Sequence, residues 1–435
     1  MPTEAPEGNQ APCVLVAPPG PNSRHWLARA KATSAPMGPP RSDSSGIVYA
    51  SARGVNVTDV DGNRYVDLAA GFGAMLLGHS HPAISAALRE QSDTLLQALG
   101  DVYPSRERLE LEERLLDSCG IDDGKVLLGQ SGSDAVTAAL KTAVLATGKP
   151  GVLGFSGAYH GLGYAPLATC GLRESYRAPF FAQLNPNVVW APYPTDAPTA
   201  QQSLEQVDKR LKQGGIGAVL IEPILGRGGC IVPPPGFLQQ LIALAHAAGA
   251  LLIADEIWTG LGRAGSWLAS VAMGIKPDLI CLGKGLGGGL PMSACIGHRD
   301  VMSAWQREPE VVHTATFSGA ALAARTALAT LELLGRAGFI AEREAEGDTW
   351  RTCIASACVG LPGVVDVRGR GFMIGIDLGT SGLAVLAMRR LLERGYIVST
   401  GGGARDVIVL TPPIVIDATQ RQPFVDALSD VLRTL

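Results

Sequence analysis

At 435 residues the chain can bury a large core and should form more than one domain. Hydrophobic residues make up 46% and charged residues 17%, which excludes an extended disordered protein and fits a compact soluble enzyme. A net charge of −4 is too mild to imply binding to nucleic acid or to a membrane surface.

Residues 1–45 are rich in Pro, Ser and Gly and read as a loose N-terminal arm. Glu4, Glu7 and the short apolar run Cys13–Ala17 do not make a signal peptide. Asp61-Gly62 lies between Val-rich runs and predicts a hairpin turn. His79 and His81 could suggest a metal pair, but no third ligand is near in sequence, and a turn packed on the core explains them; no metal site is expected. The leucines at 109, 111, 115 and 116 predict a helix over 106–118. Leu127-Leu128 then ends a strand, Ser131-Gly132-Ser133 makes a turn, and Asp134 opens a helix. Such a turn offers N–H groups and the positive end of a helix dipole to an anion; an ordinary serine N-cap is the alternative.

Gly217 to Leu238 reads as a strand, a glycine loop holding Arg227, and a proline-rich turn. The apolar region Leu238–Ile253 is broken by His246 and Gly249, so it predicts a helix, a turn and a strand, not a membrane span. Residues 320–334 should be a helix, followed by strands at Val364–Arg368 and Met373–Asp377. Leu383–Leu392, Val407–Leu410 and Ala418–Leu432 supply helix, strand and helix. The eight cysteines are scattered without zinc spacing and read as reduced thiols of a cytoplasmic protein.

The stretch from 250 to 291 organises the rest. Its apolar runs Leu251–Ala254 and Leu279–Leu282 look like buried parallel strands, the first ending on Asp255 and the second followed by Gly283 and Lys284. A charge at the end of a buried strand is costly unless paired. An acidic and a basic end together at the carboxyl edge of an α/β sheet mark a ligand site. They also match what pyridoxal phosphate needs: an amine to hold its aldehyde, and a carboxylate to keep its ring nitrogen protonated. The bland alternative is a capping Asp and a solvated Lys. The glycines Gly283 to Gly288 formally match GxGxxG, but Gly289-Leu290-Pro291 follows instead of a helix, which argues against a dinucleotide site.

Asp255-Glu256, Thr259-Gly260-Leu261-Gly262-Arg263 and Gly283-Lys284-Gly285 resemble the signature of class III (omega-type) pyridoxal-phosphate aminotransferases. The likeness extends from about Val57 to Pro413 and includes Leu77 to Pro82, Glu222-Pro223 and the Arg368-Gly369-Arg370-Gly371 run. It implies an α/β fold of fold type I: a large domain with a mostly parallel sheet (76–329) and a smaller α/β domain (46–75 with 330–435). It further implies Lys284 and Asp255 as catalytic residues, Gly132 and Ser133 as phosphate contacts, and Tyr159 as the ring-stacking side chain with His160 beside it. Thr316 would serve the neighbouring subunit's cofactor in a homodimer.

Several positions depart from the pattern. Trp258 stands where many relatives have Gln near the cofactor's phenolic oxygen, and its indole can donate but not accept. Phe72 falls at a substrate-contacting position and brings no hydroxyl. Leu162 replaces an Arg that grips a substrate carboxylate. Relatives that use glutamate pair a loop Glu with an Arg near the C-terminus; here those positions are Arg227 and Val409. Arg227 is either a replacement carboxylate contact or a solvated loop residue. The implied reaction moves an amino group from an amine or omega-amino acid (4-aminobutyrate- or acetylornithine-like) to a keto acid. The alternative is an isomerase on the same fold: an epimerase, racemase or aminomutase.

Overall fold

The computed structural model describes residues 8–36 and 46–435. Its centre is a seven-stranded sheet. The strands are β4 (Gly124–Gly129), β5 (Gly151–Phe155), β6 (Val188–Ala191), β7 (Ile216–Ile221), β8 (Leu251–Asp255), β9 (Leu279–Leu282) and β10 (Ser293–His298), following the hairpin strands β1 (Tyr49–Arg53), β2 (Asn56–Asp59) and β3 (Arg64–Asp67). The spatial order is β4-β10-β9-β8-β7-β5-β6, and β10 alone runs antiparallel to its neighbours. The expected mostly parallel sheet is therefore present. Strands β5, β7 and β9 are buried at every position, as their unbroken apolar runs require when helices cover both faces of a sheet.

Two helices frame the part of the sheet that matters most. Helix α1 (Gly132–Thr147) packs Ala135, Val136, Ala139 and Ala143 against Ile253, Leu279, Cys281 and Cys295. Helix α2 (Phe237–Ala247) lies between β7 and β8 and buries Phe237, Leu238 and Leu241 with Val219 and Leu252. The expected turn at Ser131–Ser133 is shorter than predicted. Gly132 is already helical, because Ser131 accepts from the Asp134 N–H while the Asp134 carboxylate accepts from the Ser131 N–H, a reciprocal cap.

The C-terminal region forms an antiparallel sheet of β11 (Asp366–Arg370), β12 (Met373–Asp377), β14 (Ser399–Gly401) and β15 (Val407–Leu410), ordered β11-β12-β15-β14. Strand β13 (Tyr396–Ile397) leaves it and pairs in parallel with β3, so the N-terminal hairpin joins the C-terminal region. The hairpin turn at Asp61-Gly62 forms as expected, with β2 and β3 antiparallel.

The loose arm needs correction where it can be described; residues 1–7 and 37–45 lie outside the described residues. Residues 8–16 are tied to the hairpin. Cys13 and Arg64 exchange backbone hydrogen bonds, and the Leu15 and Val16 N–H groups both donate to Asn63 Oδ1 at 2.8 and 2.9 Å. A helix follows over Pro21–Thr33, its first turn held by the Asp61 carboxylate, which accepts from Asn22 and Ser23. The Pro and Ser content that suggests disorder instead marks an extended segment whose backbone groups find fixed partners.

Asn63 is fully buried and also donates to Val16 O and Asp59. Asn63→Ala should orphan these groups and lower unfolding stability by about 1–3 kcal/mol. Urea denaturation measures the loss, and limited proteolysis should then cut residues 9–17 first; an unchanged midpoint would contradict the clamp.

Candidate active site

Three ionisable side chains meet at the carboxyl edge of neighbouring strands. Glu222 directly follows β7, Asp255 ends β8, and Lys284 stands two residues past β9. Asp255 is 4% exposed. One of its oxygens lies 2.7 Å from His160 Nδ1, and the other accepts from the Ile257 N–H at 3.1 Å. His160 is buried too, and its Nε2 has no partner among the described residues. The imidazole therefore donates to Asp255 through Nδ1, which holds the carboxylate in place.

Lys284 is partly buried, and its backbone is left-handed, with φ +43°. A side chain on Gly285 would meet Leu76 at 2.8 Å, so this tight turn requires glycine after the lysine. Lys284 Nζ lies 4.4 Å from the centroid of the Trp258 ring. Desolvation pulls its ammonium down from 10.5 to about 8, although Asp255 and Glu222 pull upward; Arg227 and Arg263 add to the downward push.

Glu222 and Arg263 carry more of the site than the sequence motifs indicate. Glu222 is 4% exposed and accepts from the Tyr159 N–H at 2.7 Å and the Gly226 N–H at 2.9 Å. It thus anchors both loops that face Lys284, while burial raises its carboxyl to about 7. The available signal was a Glu closing an apolar run, the same pattern that singles out Asp255. Arg263 is 1% exposed and donates through Nη1 to the carbonyls of Phe372 and Pro412 in the C-terminal region.

The N-terminus of α1 supplies an anion cradle. The cap occupies the Asp134 N–H, and no described residue accepts from the Gly132 or Ser133 N–H. Ser133 Oγ abuts Gly161, where a Cβ would come within 2.2 Å of it. Ile257 packs against both Gly132 and Gly283, which ties the cradle to the lysine turn.

The opposite wall holds the residues expected to meet substrate. Tyr159 is partly buried and edge-on to Tyr176, and Arg227 Cζ lies 4.7 Å from its ring centroid. Arg227 also reaches to 5.9 Å from the centroid of Phe72 and has no carboxylate partner among the described residues. Phe72 is 60% exposed and sits in a left-handed run from Ala70 to Gly73. Left-handed non-glycine residues cost roughly 1–2 kcal/mol each, and Asp67 holds the run by accepting from the Ala69 and Ala70 N–H groups.

Val409 is 1% exposed in an apolar cluster with Trp258, Ile224 and Met373. Leu162 is half-exposed. Thr316 stands apart: it is on the surface, and its carbonyl accepts from Gln97 Nε2. The structure gives it no contact with Lys284 or the anion cradle. His79 bonds Asp67 at 2.8 Å, and His81 caps the helix that starts at Pro82.

These groups fit a cofactor with an aldehyde, a ring nitrogen and a phosphate. Lys284 offers the amine, Asp255 an oriented carboxylate, and, among the described residues, the start of α1 a pair of free N–H donors and Trp258 a buried indole N–H without a partner.

Comparison with known proteins agrees with that fit. The profile of a family described as aminotransferase class-III matches residues 37–432. The chain is 36% identical over 387 residues to an acetylornithine aminotransferase of Mycobacterium bovis, covering 89% of this chain and 92% of the relative. It is 29% identical to an alanine/serine racemase of Pyrococcus horikoshii, covering 93% and 89%. The ornithine aminotransferase of Toxoplasma gondii, whose active site holds pyridoxal phosphate at partial occupancy, superposes with a TM-score of 0.84. Its identity is 27%, and the match covers 94% of each chain.

In the cofactor-free protein Lys284 should react with aldehydes well below the pH at which an ordinary lysine does. Reductive labelling followed by peptide mapping should show a midpoint near pH 8. Asp255 holds the proton on, so Asp255→Asn should move that midpoint lower. A midpoint near the ordinary 10.5, or a rise in the variant, would contradict the assignment.

Proposed function

Because the chain belongs to the class-III aminotransferases, and so is a transaminase that works with pyridoxal phosphate, we propose that it moves an amino group from an omega-amino acid or simple amine to a keto acid, with Lys284 and Asp255 as its catalytic residues. The observation that carries this reading is the pair of neighbouring strand ends: a desolvated amine on one and a carboxylate oriented by His160 on the other.

Pyridoxal phosphate supplies an aldehyde that condenses with amines and a protonated ring that draws electrons from the substrate carbon. The protein does the rest. The Gly132 and Ser133 N–H groups at the start of α1 would hold the phosphate. Asp255, oriented by His160, would hold the proton on the ring nitrogen. Tyr159 would supply an aromatic face for the ring, and Trp258 would offer it an indole N–H. Lys284, with its ammonium at about 8, takes the proton from the substrate carbon as a base and returns it as an acid. Phe72 gives the substrate an apolar wall, and Arg227 meets its carboxylate.

Thr316 acts across the boundary of a homodimer. Its own surface supports this, since Leu95, Leu96, Leu99, Val102, Tyr103 and Phe317 are all exposed. The division into a large domain (76–329) and a small one (46–75 with 330–435) belongs to the same reading, supported by the pairing of β13 with β3. So does a cytoplasmic location, supported by eight free cysteines. Among the described residues no helix is long and apolar enough to cross a membrane.

The similarity to an alanine/serine racemase supports a second activity, return of the proton to the same carbon without an acceptor. Loss of optical rotation from a single enantiomer with no keto acid added would reveal it.

An amine-donor and keto-acceptor screen with carbonyl detection tests the main reading. Lys284→Ala should lower turnover about 10²–10⁴-fold or more, the usual weight of a proton-transfer group. Borohydride should fix the cofactor to the peptide holding Lys284 in the unsubstituted enzyme; labelling of another lysine would sink the assignment. Arg227→Ala should raise the Michaelis constant for a carboxylate substrate roughly tenfold, about 1.4 kcal/mol. It should affect an uncharged amine far less, and equal effects on both would make Arg227 structural.

A further inference from the structure

Trp258 touches both loops that present groups to the substrate. A Cβ on Gly73 would lie 2.3 Å from its Nε1, and one on Gly226 would lie 2.4 Å from its Cε3. The indole is therefore wedged between the left-handed run that carries Phe72 and the glycine loop that carries Arg227. Both loops need glycine at the contact because the ring leaves no room for a side chain. The wedge is itself fixed: Trp258 is 7% exposed and packed with Ile224, Met373 and Val409. Lys284 Nζ rests on its face.

Above the wedge the two loops converge, where the Arg227 guanidinium lies over Tyr159 and near Phe72. The Arg227 backbone is held from the far side, its carbonyl accepting from the Gly402 N–H at 2.8 Å. Among the described residues its side chain has no carboxylate to aim it. What sets its height over the site is the surface the loop rests on, and that surface is the indole.

We infer that Trp258 is a positioning residue for substrate recognition: by wedging Gly73 apart from Gly226 it sets the distance between Phe72 and Arg227, and so the carboxylate position the enzyme accepts. This rests on the reading of Arg227 as the carboxylate contact.

The test is a double-variant cycle on the holoenzyme. Its readout is the dissociation constant of butyrate, an unreactive monocarboxylate, measured by calorimetry, alongside Michaelis constants for carboxylate and uncharged substrates. Trp258→Leu should weaken butyrate binding about tenfold, the size of coupling expected of residues in contact. Arg227→Ala should do the same, and the double variant should bind no more weakly than Arg227→Ala alone. Gly226→Ala presses on the wedge from the loop side and should weaken binding about tenfold; adding Trp258→Leu should recover part of that loss. Additive losses in the Trp258→Leu, Arg227→Ala pair would overturn the inference. So would unchanged butyrate affinity in Trp258→Leu while Arg227→Ala is impaired. If Arg227→Ala itself binds butyrate normally, the inference falls together with the carboxylate reading beneath it.

Discussion

The site depends on keeping charge at the end of a buried strand. Asp255 would be untenable there alone, since an unpaired buried carboxylate costs several kcal/mol in practice. His160 Nδ1 and the Ile257 N–H satisfy it. Once it is held, neighbouring features follow from it: Lys284 on the adjacent strand end keeps enough of its proton to titrate at about 8 rather than lower, and Ile257, placed by its bond to Asp255, joins the anion cradle to the lysine turn. Glu222 on the other neighbouring strand repeats the device, with two backbone N–H groups in place of an imidazole. A parallel sheet makes this economical, because its strands deliver their ends to one edge in register.

Much of this was legible in the sequence because it is written in local patterns. Unbroken apolar runs ending in charge gave β8 and β9, with Leu279–Leu282 matching the strand residue for residue. Asp61-Gly62 gave the hairpin. What was not legible depends on partners distant in sequence. The segment 8–16 looked loose because nothing nearby could satisfy it; its partners are Asn63 and Arg64, about fifty residues away. Strand β11 runs over Asp366–Arg370, two residues later than expected, because pairing with β12 sets its ends. Glu222 had a motif but no evident task until the Tyr159 and Gly226 N–H groups appeared beside it.

The wall facing Lys284 is more apolar than the motifs around it suggest. Val409 is not a neutral gap but part of a packed cluster with Trp258, Ile224 and Met373. An arginine there would have to displace that packing, so this substitution and the presence of Trp258 are linked by volume rather than by charge. Arg227 is then left as a guanidinium aimed by aromatic faces, which attract cations more weakly than a carboxylate does and leave its donors available.

The clasp made by Arg263 has a consequence for how the enzyme responds to its surroundings. It joins the segment after β8 to the C-terminal region through the carbonyls of Phe372 and Pro412, which neither gain nor lose protons, and through the Phe372 N–H, which donates to the Arg263 carbonyl. No carboxylate takes part, so acidification removes nothing from the joint, and dissolved salt has no exposed ion pair there to screen. Acidification can therefore change the protonation of Lys284 and Glu222 while Arg263 keeps its charge and its two carbonyl acceptors, separating the tuning of the chemistry from the integrity of the frame.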